Sequence, residues 1–190
     1  MPEPARAQLY LSLETAQTGR LEAILHDASP ACVRLCITDH TERDIAETCR
    51  ALCHAREIPL LIAGPEEAAI ALARTIGADG VHLTGAPKAA PWVRGELGED
   101  CIVGIDPGPS RHDAMLAAET GADYVSFAPD WLSDDSLPET LAWWAAMIET
   151  PMVVENAGTP ARIRTVAPVA EFVLAGADNA GKMASALSAR

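Results

Sequence analysis

Positive charge, closely paired cysteines, long apolar runs and a glycine-rich phosphate loop are all scarce or missing, and each shortage removes a class of function. Lys and Arg number 14 against 27 Asp and Glu, giving a formal charge of −13. A protein that neutralises nucleic-acid phosphates needs a clustered excess of basic residues, so no nucleic-acid partner is expected. An anionic ligand would have to be held locally, by backbone N–H groups at helix starts, one or two basic side chains, or a metal ion. No stretch approaches the roughly 18 apolar residues that span a bilayer, and Met1-Pro2-Glu3-Pro4-Ala5-Arg6 shows no basic segment leading into an apolar run. The expectation is a soluble, cytoplasmic protein with no membrane partner. The five cysteines form an odd set, and Cys32/Cys36 and Cys49/Cys53 lie four apart rather than in the tighter pairs usual for structural zinc. Small cysteines on the buried stripe of a helix explain the grouping of Cys49, Cys53 and His54 without a metal. The segment after the first apolar run, Glu14-Thr15-Ala16-Gln17-Thr18-Gly19, has one glycine and no Gly-x-Gly-x-x-Gly, which argues against a doubly wound open sheet, the nearest alternative fold.

What the chain does have is repetition. Gly77-Ala78-Asp79-Gly80-Val81-His82-Leu83 returns as Gly121-Ala122-Asp123-Tyr124-Val125-Ser126-Phe127, with a looser copy at Ala170-Glu171-Phe172-Val173-Leu174-Ala175-Gly176. Each follows an alanine-rich stretch with helical spacing, so each is a turn that closes a helix and launches a buried strand. Short runs without polar alternation predict strands at Leu9–Leu13, Cys32–Ile37, Pro59–Ile62, Gly80–Leu83, Cys101–Ile105, Tyr124–Phe127, Met152–Glu155 and Phe172–Ala175. Helical spacing predicts helices at Leu21–Asp27, Glu42–Arg56, Glu66–Ile76, Ser110–Thr120, Pro138–Glu149, Pro160–Val166 and Asn179–Ala189, with at best a brief one around Pro91-Trp92-Val93-Arg94. Strictly alternating β and α elements with parallel strands predict a single (β/α)8 TIM barrel, with residues 1–190 forming one domain.

With the strands placed, the sequence resembles the thiamine phosphate synthase family and its thiazole tautomerase branch, from about Val33 to Gly176. Gly77-Ala78-Asp79-Gly80-Val81-His82-Leu83 is similar to that family's middle-strand signature. Ile102-Val103-Gly104-Ile105, the run Ala117 to Pro129, and Pro151-Met152-Val153-Val154 match the following units in order. The resemblance implies a transferase of thiamine biosynthesis that joins a pyrimidine-methyl diphosphate to a thiazole phosphate, with magnesium on the diphosphate. It also implies a small-molecule ligand like thiazole phosphate, held by backbone amides near the last two strands.

The chain departs from the family where that chemistry belongs. The family's Gln-x-Arg-x-Lys reads Arg34-Leu35-Cys36-Ile37-Thr38, so Arg34 alone supplies a displaced positive charge. Its Asn-Asp-Arg reads Ala63-Gly64-Pro65, and its Gly-Gln-x-Asp reads Thr84-Gly85-Ala86-Pro87, which removes both magnesium carboxylates. Thr-x-Thr-Lys reads Trp131-Leu132-Ser133-Asp134-Asp135. The tautomerase histidine after the fifth strand is replaced by Asp106-Pro107-Gly108-Pro109, with His112 one turn into the following helix. Lost or much reduced coupling is therefore expected, with magnesium needed only if synthase activity is retained. The alternative is a non-catalytic barrel, a pseudoenzyme that binds a small phosphorylated or heterocyclic ligand in a regulatory role.

Sites in parallel barrels lie at the C-terminal ends of the strands. That rule nominates Ser12, Glu14, Thr38, Asp39, His40, Thr84, Asp106, Asp130 and Glu155. Arg34 and His82 are the catalytic candidates, although a structural hydrogen bond also explains His82. Asn156, Ala157, Gly158 and Gly176 are the phosphate-binding candidates, with Glu155 beside them as a charge that would repel a phosphate. No metal ligands are assigned. Trp143-Trp144 on one helix predicts one ring in the core and one on a surface or interface, which is compatible with a homodimer.

Overall fold

The structure is a computed structural model that describes residues 7–39, 42–128, 136–155 and 159–188. Eight parallel strands close in sequence order into a barrel: β1 (Gln8–Glu14), β2 (Cys32–Cys36), β3 (Leu60–Ala63), β4 (Gly80–Thr84), β5 (Ile102–Asp106), β6 (Tyr124–Phe127), β7 (Met152–Val154) and β8 (Phe172–Gly176). The helices between and after them are α1 (Leu21–Ala28), α2 (Arg43–His54), α3 (Glu66–Ile76), α4 (Ala90–Leu97), α5 (Arg111–Glu119), α6 (Ser136–Met147), α7 (Pro160–Val166) and α8 (Ala180–Ser188). This is the predicted (β/α)8 barrel. The α4 segment is a helix of 8 residues, longer than the brief one expected around Pro91–Arg94. A 3-10 turn over Thr15–Arg20, which no periodicity predicted, joins β1 to α1. No described helix is long and apolar enough to cross a membrane.

Strand residues alternate between two environments. Those facing out, such as Leu11, Leu35, Ile62, Val81, Ile105, Val125, Val154 and Val173, are buried under the helices in one large apolar cluster. Those facing in form a separate cluster of Tyr10, Leu61, Tyr124, Val153 and Leu174, with Cys32, Ile102 and Phe172 packed against it. Trp144 is fully buried in the outer layer and donates its Nε1–H to the Thr150 carbonyl. Trp143 is half-buried beneath the Arg111 guanidinium, 5.1 Å from the ring centre.

The repeated turns act as clamps at the N-terminal rim. Gly77 ends α3 with φ +66°, a left-handed conformation that favours glycine. The carboxylate of Asp79 then accepts the Leu60 N–H at 2.7 Å, at the start of β3. Asp123 accepts the Val103 N–H of β5 at 2.7 Å, and in the looser third copy Glu171 accepts the Met152 N–H of β7 at 2.8 Å. Each acid sits just before an even strand and satisfies a backbone donor at the start of the preceding odd one. The motif therefore records how strands are anchored, not what the protein binds.

Two glycines fix close approaches inside the wall. A Cβ on Gly80 would lie 1.9 Å from the Ile102 carbonyl oxygen, and one on Gly104 would lie 2.0 Å from Cζ of Tyr124. Gly104 thus makes room for the ring of Tyr124, its register partner on the neighbouring strand.

Candidate functional site

Moving two residues along each strand from the apolar inner cluster keeps the same face and moves toward the C-terminal mouth. Tyr10 is followed by Ser12, Cys32 by Arg34, Leu61 by Ala63, Tyr124 by Ser126, Val153 by Glu155 and Leu174 by Gly176; on β5, Ile102 leads to Gly104 and then Asp106. The barrel interior therefore has an apolar floor and a polar upper layer. Arg34 is the only Lys or Arg on any of the eight strands.

Arg34 is already paired. Its Nη1 donates to Glu155 Oε1 at 2.7 Å and its Nη2 to Oε2 at 3.3 Å, with both side chains 11% exposed. Its Nε donates to Ser12 Oγ at 3.3 Å, and Ser12 Oγ lies 3.4 Å from Cys36 Sγ. A parallel fork on a carboxylate is the strongest geometry available to a guanidinium.

His82 joins the same network from β4. Its Nε2 lies 3.7 Å from Glu155 Oε1, and its Nδ1 lies 2.9 Å from the Tyr124 hydroxyl. That hydroxyl is 2.7 Å from the Tyr10 hydroxyl. Burial, and then the nearby Arg34 charge, outweigh the attraction of Glu155 and push the His82 pKa down to about 3. The ring is neutral at physiological pH. A proton on Nε2, facing Glu155, leaves Nδ1 to accept from Tyr124, which in turn accepts from Tyr10. Burial raises both tyrosine hydroxyls well above their ordinary range, so they too stay protonated.

Burial alone would raise the Glu155 carboxyl, but the charge and hydrogen bonds of Arg34 dominate and hold it below the usual carboxylate range. Ser126 Oγ is fully buried and makes no hydrogen bond of regular geometry among the described residues. It nonetheless lies close enough to favour the Glu155 anion. Asp106, at the mouth end of β5, is pushed up to about 6 by burial, although the Gly108 N–H donates to it at 2.9 Å.

The structure thus brings the catalytic candidates Arg34 and His82 together, through Glu155. Tyr10, Tyr124 and Ser126 belong to the same constellation and were not singled out from the sequence. Their only sequence signal was polar atoms on otherwise apolar strands. Gly176 ends β8 opposite Ser12, and a Cβ there would meet nothing within 4 Å among the described residues. The other phosphate-binding candidates, Asn156, Ala157 and Gly158, lie outside the described residues, as do His40, Asp130, Asp134 and Asp135. Glu14 is engaged in reciprocal bonds with Gln17 at the start of the 3-10 turn. Thr84 is exposed, and so is His112 on the first turn of α5. The Thr38 N–H is taken by Glu42 at 2.9 Å.

A magnesium ion does not fit the donors on view. Among the described residues no group of three or more His, Cys, Asp or Glu could hold a metal. At the family's Asn-Asp-Arg position, a Cβ on Gly64 would lie 2.6 Å from the Ile37 carbonyl oxygen, so this backbone carries no side chain there without shifting. Cys49 and Cys53 are buried on α2, with their thiols pushed up to about 11 and 12 by burial. His54 lies 2.8 Å from Asp79 instead.

An apolar cleft of about 250 Å³ opens at the opposite, N-terminal end, between Cys32, Ile102, Tyr124, Val153 and Phe172. It is remote in chemistry from the polar layer, and in parallel barrels that end bears on stability.

Comparison with known proteins agrees with this architecture. A thiamine-phosphate synthase of Erythrobacter litoralis is 37% identical over 135 residues, covering 65% of this chain and 60% of that relative. One of Rhodospirillum centenum is 35% identical over 145 residues, covering 70% and 67%. The chain therefore spans about two thirds or less of the length of these relatives. Among solved structures, a thiamine phosphate pyrophosphorylase from Pyrococcus furiosus superposes with a TM-score of 0.78 at 18% identity, covering 97% of this chain and 95% of that one. The tryptophan synthase α subunit of Legionella pneumophila reaches 0.74 at 16% identity, covering 96% and 93%. At such identities the likeness speaks for the fold alone. The family model described as thiamine monophosphate synthase matches residues 7–179, from the first strand to the start of the last helix, and the chain belongs to that family.

Proposed function

We propose that this chain is a thiamine phosphate synthase-like protein of thiamine biosynthesis in which the coupling of pyrimidine diphosphate to thiazole phosphate is lost or much reduced. The observation that carries this is the pairing of Arg34 with Glu155. As a diphosphate leaves, negative charge builds on its oxygens and must be met by preorganised cations or a metal. Here the only strand-borne cation inside the barrel is neutralised, and among the described residues no group of three or more His, Cys, Asp or Glu could hold a metal. Each missing charge-assisted hydrogen bond to the leaving group costs about 1.5–3 kcal/mol, or roughly ten- to hundredfold in rate. Several such deficits together take coupling below useful turnover.

The test is product formation from the pyrimidine-methyl diphosphate and thiazole phosphate, with and without magnesium. The expected outcome is no magnesium-dependent product above background. Coupling at an ordinary enzymatic rate, about 1 per second or faster, would sink the proposal. The related role of a non-catalytic, regulatory barrel calls for ligand binding at the mouth, where a Cβ on Gly176 would meet nothing within 4 Å among the described residues. A rise in melting temperature with thiazole phosphate, without turnover, is the outcome that role expects.

A further inference from the structure

We infer that Glu155 is the resident anion of an oxyanion site built into the barrel, and that its charge is what bars free phosphate from Arg34. Four side chains gather around its carboxylate and its partner guanidinium. Arg34 offers two N–H donors at 2.7 and 3.3 Å, and the Ser126 hydroxyl is fully buried with no regular partner of its own among the described residues. His82 Nε2 stands 3.7 Å away, and Ser12 steadies the guanidinium from below at Nε. These groups would serve a phosphate oxygen as well as a carboxylate oxygen, since both accept a guanidinium fork in the same geometry.

The carboxylate comes from the last inward position of its own segment, one residue beyond β7, and reaches across to β2. Its backbone is tied down by the Glu155 N–H donating to the Phe127 carbonyl at 2.9 Å. Glu155 thus fills the site intramolecularly, with no translational entropy to lose, and a millimolar anion in solution cannot displace it. Ligand choice at the mouth then falls to groups that do not need Arg34. The inference extends the proposed loss of coupling, but it concerns anion binding without turnover, so either can fail while the other stands.

The experiment titrates inorganic phosphate, at constant ionic strength, into the full chain and two variants, Glu155→Gln and Glu155→Ala, each with and without Arg34→Gln. Heat of binding and melting temperature are the readouts. The wild type is expected to show no saturable binding, and the Glu155 variants at least tenfold tighter binding than the wild type, abolished by adding Arg34→Gln. If a Glu155 variant does not fold alone, recovery of its cooperative melt by phosphate but not chloride is the supporting result. The inference is overturned if the wild type already binds phosphate saturably through Arg34. It is equally overturned if phosphate neither binds nor restores either variant, or if the gain persists without Arg34.

Discussion

The ionisable side chains inside the barrel set how its stability depends on pH, beginning with His82. Its folded pKa of about 3 lies far below the ordinary value near 6.5. Between those limits the unfolded chain binds a proton that the folded chain refuses. Stability from this residue is therefore intact above about pH 6.5 and declines as pH falls toward 3, by up to about 1.4 kcal/mol per pH unit. Glu155, depressed by Arg34, adds loss of the same sign at lower pH: its contribution is present above the unfolded carboxyl value and is lost as pH falls through the folded one. Asp106, raised to about 6, works in the opposite direction, because there the folded chain binds the proton first. Between about pH 6 and 4 the His82 and Asp106 contributions nearly cancel, so the net acid destabilisation is expected below about pH 4, where Asp106 is protonated in both states while His82 and Glu155 still lose stability. His82→Gln keeps a polar group near Tyr124 but cannot titrate. Relative to the wild type, its urea midpoint should rise steadily as pH falls from 6.5 to 4, because the opposing Asp106 contribution is then no longer offset. Parallel curves for the two proteins would show that the buried histidine is not the cause.

At the scale of elements, the three acidic clamps make a prediction that separates scaffold from site. Asp79, Asp123 and Glu171 each satisfy a backbone N–H at the start of an odd strand. Leaving such a donor unpaired costs about 1–3 kcal/mol. Asp123 also accepts from Arg94, and Asp79 lies beside His54, so alanine there removes a second interaction as well. Asp79→Ala, Asp123→Ala and Glu171→Ala should each lower stability by that order in urea unfolding. Ligand-induced shifts in melting temperature should stay as large as in the wild type, because all three sit at the end away from the mouth. A clamp variant that kept full stability would show that water replaces the carboxylate without loss.

For the molecule as a whole, the barrel was legible in the sequence because parallel strands covered on both faces read as unbroken apolar runs, and the predicted strands end within a residue or two of the observed ones. The Thr15–Arg20 turn was not legible, since six polar or small residues without periodicity are held only by local bonds such as Thr18 to the Thr15 carbonyl. At the site, Arg34 and His82 stood out as polar residues on apolar strands. Glu155 was read as a charge that would repel phosphate, but its bond to Arg34 spans 121 positions and no local pattern encodes it. The same long-range character governs closure. Gln8–Ser12 of β1 pair with Phe172–Gly176 of β8, so the last unit seals the first. Deleting residues 169–190 would leave open edges on β1 and β7 and uncover the apolar faces that Val173, Ala175, Met183 and Leu187 now cover. The intact chain should unfold in one cooperative urea transition, whereas the shortened chain should lose that transition and aggregate. A shortened chain that melted cooperatively at the wild-type midpoint would mean that stability resides in the first seven units and that closure contributes little. Loss of the transition would instead tie the Arg34–Glu155 pair to a closed wall, because the two side chains meet only when strands far apart in sequence are held around a common interior.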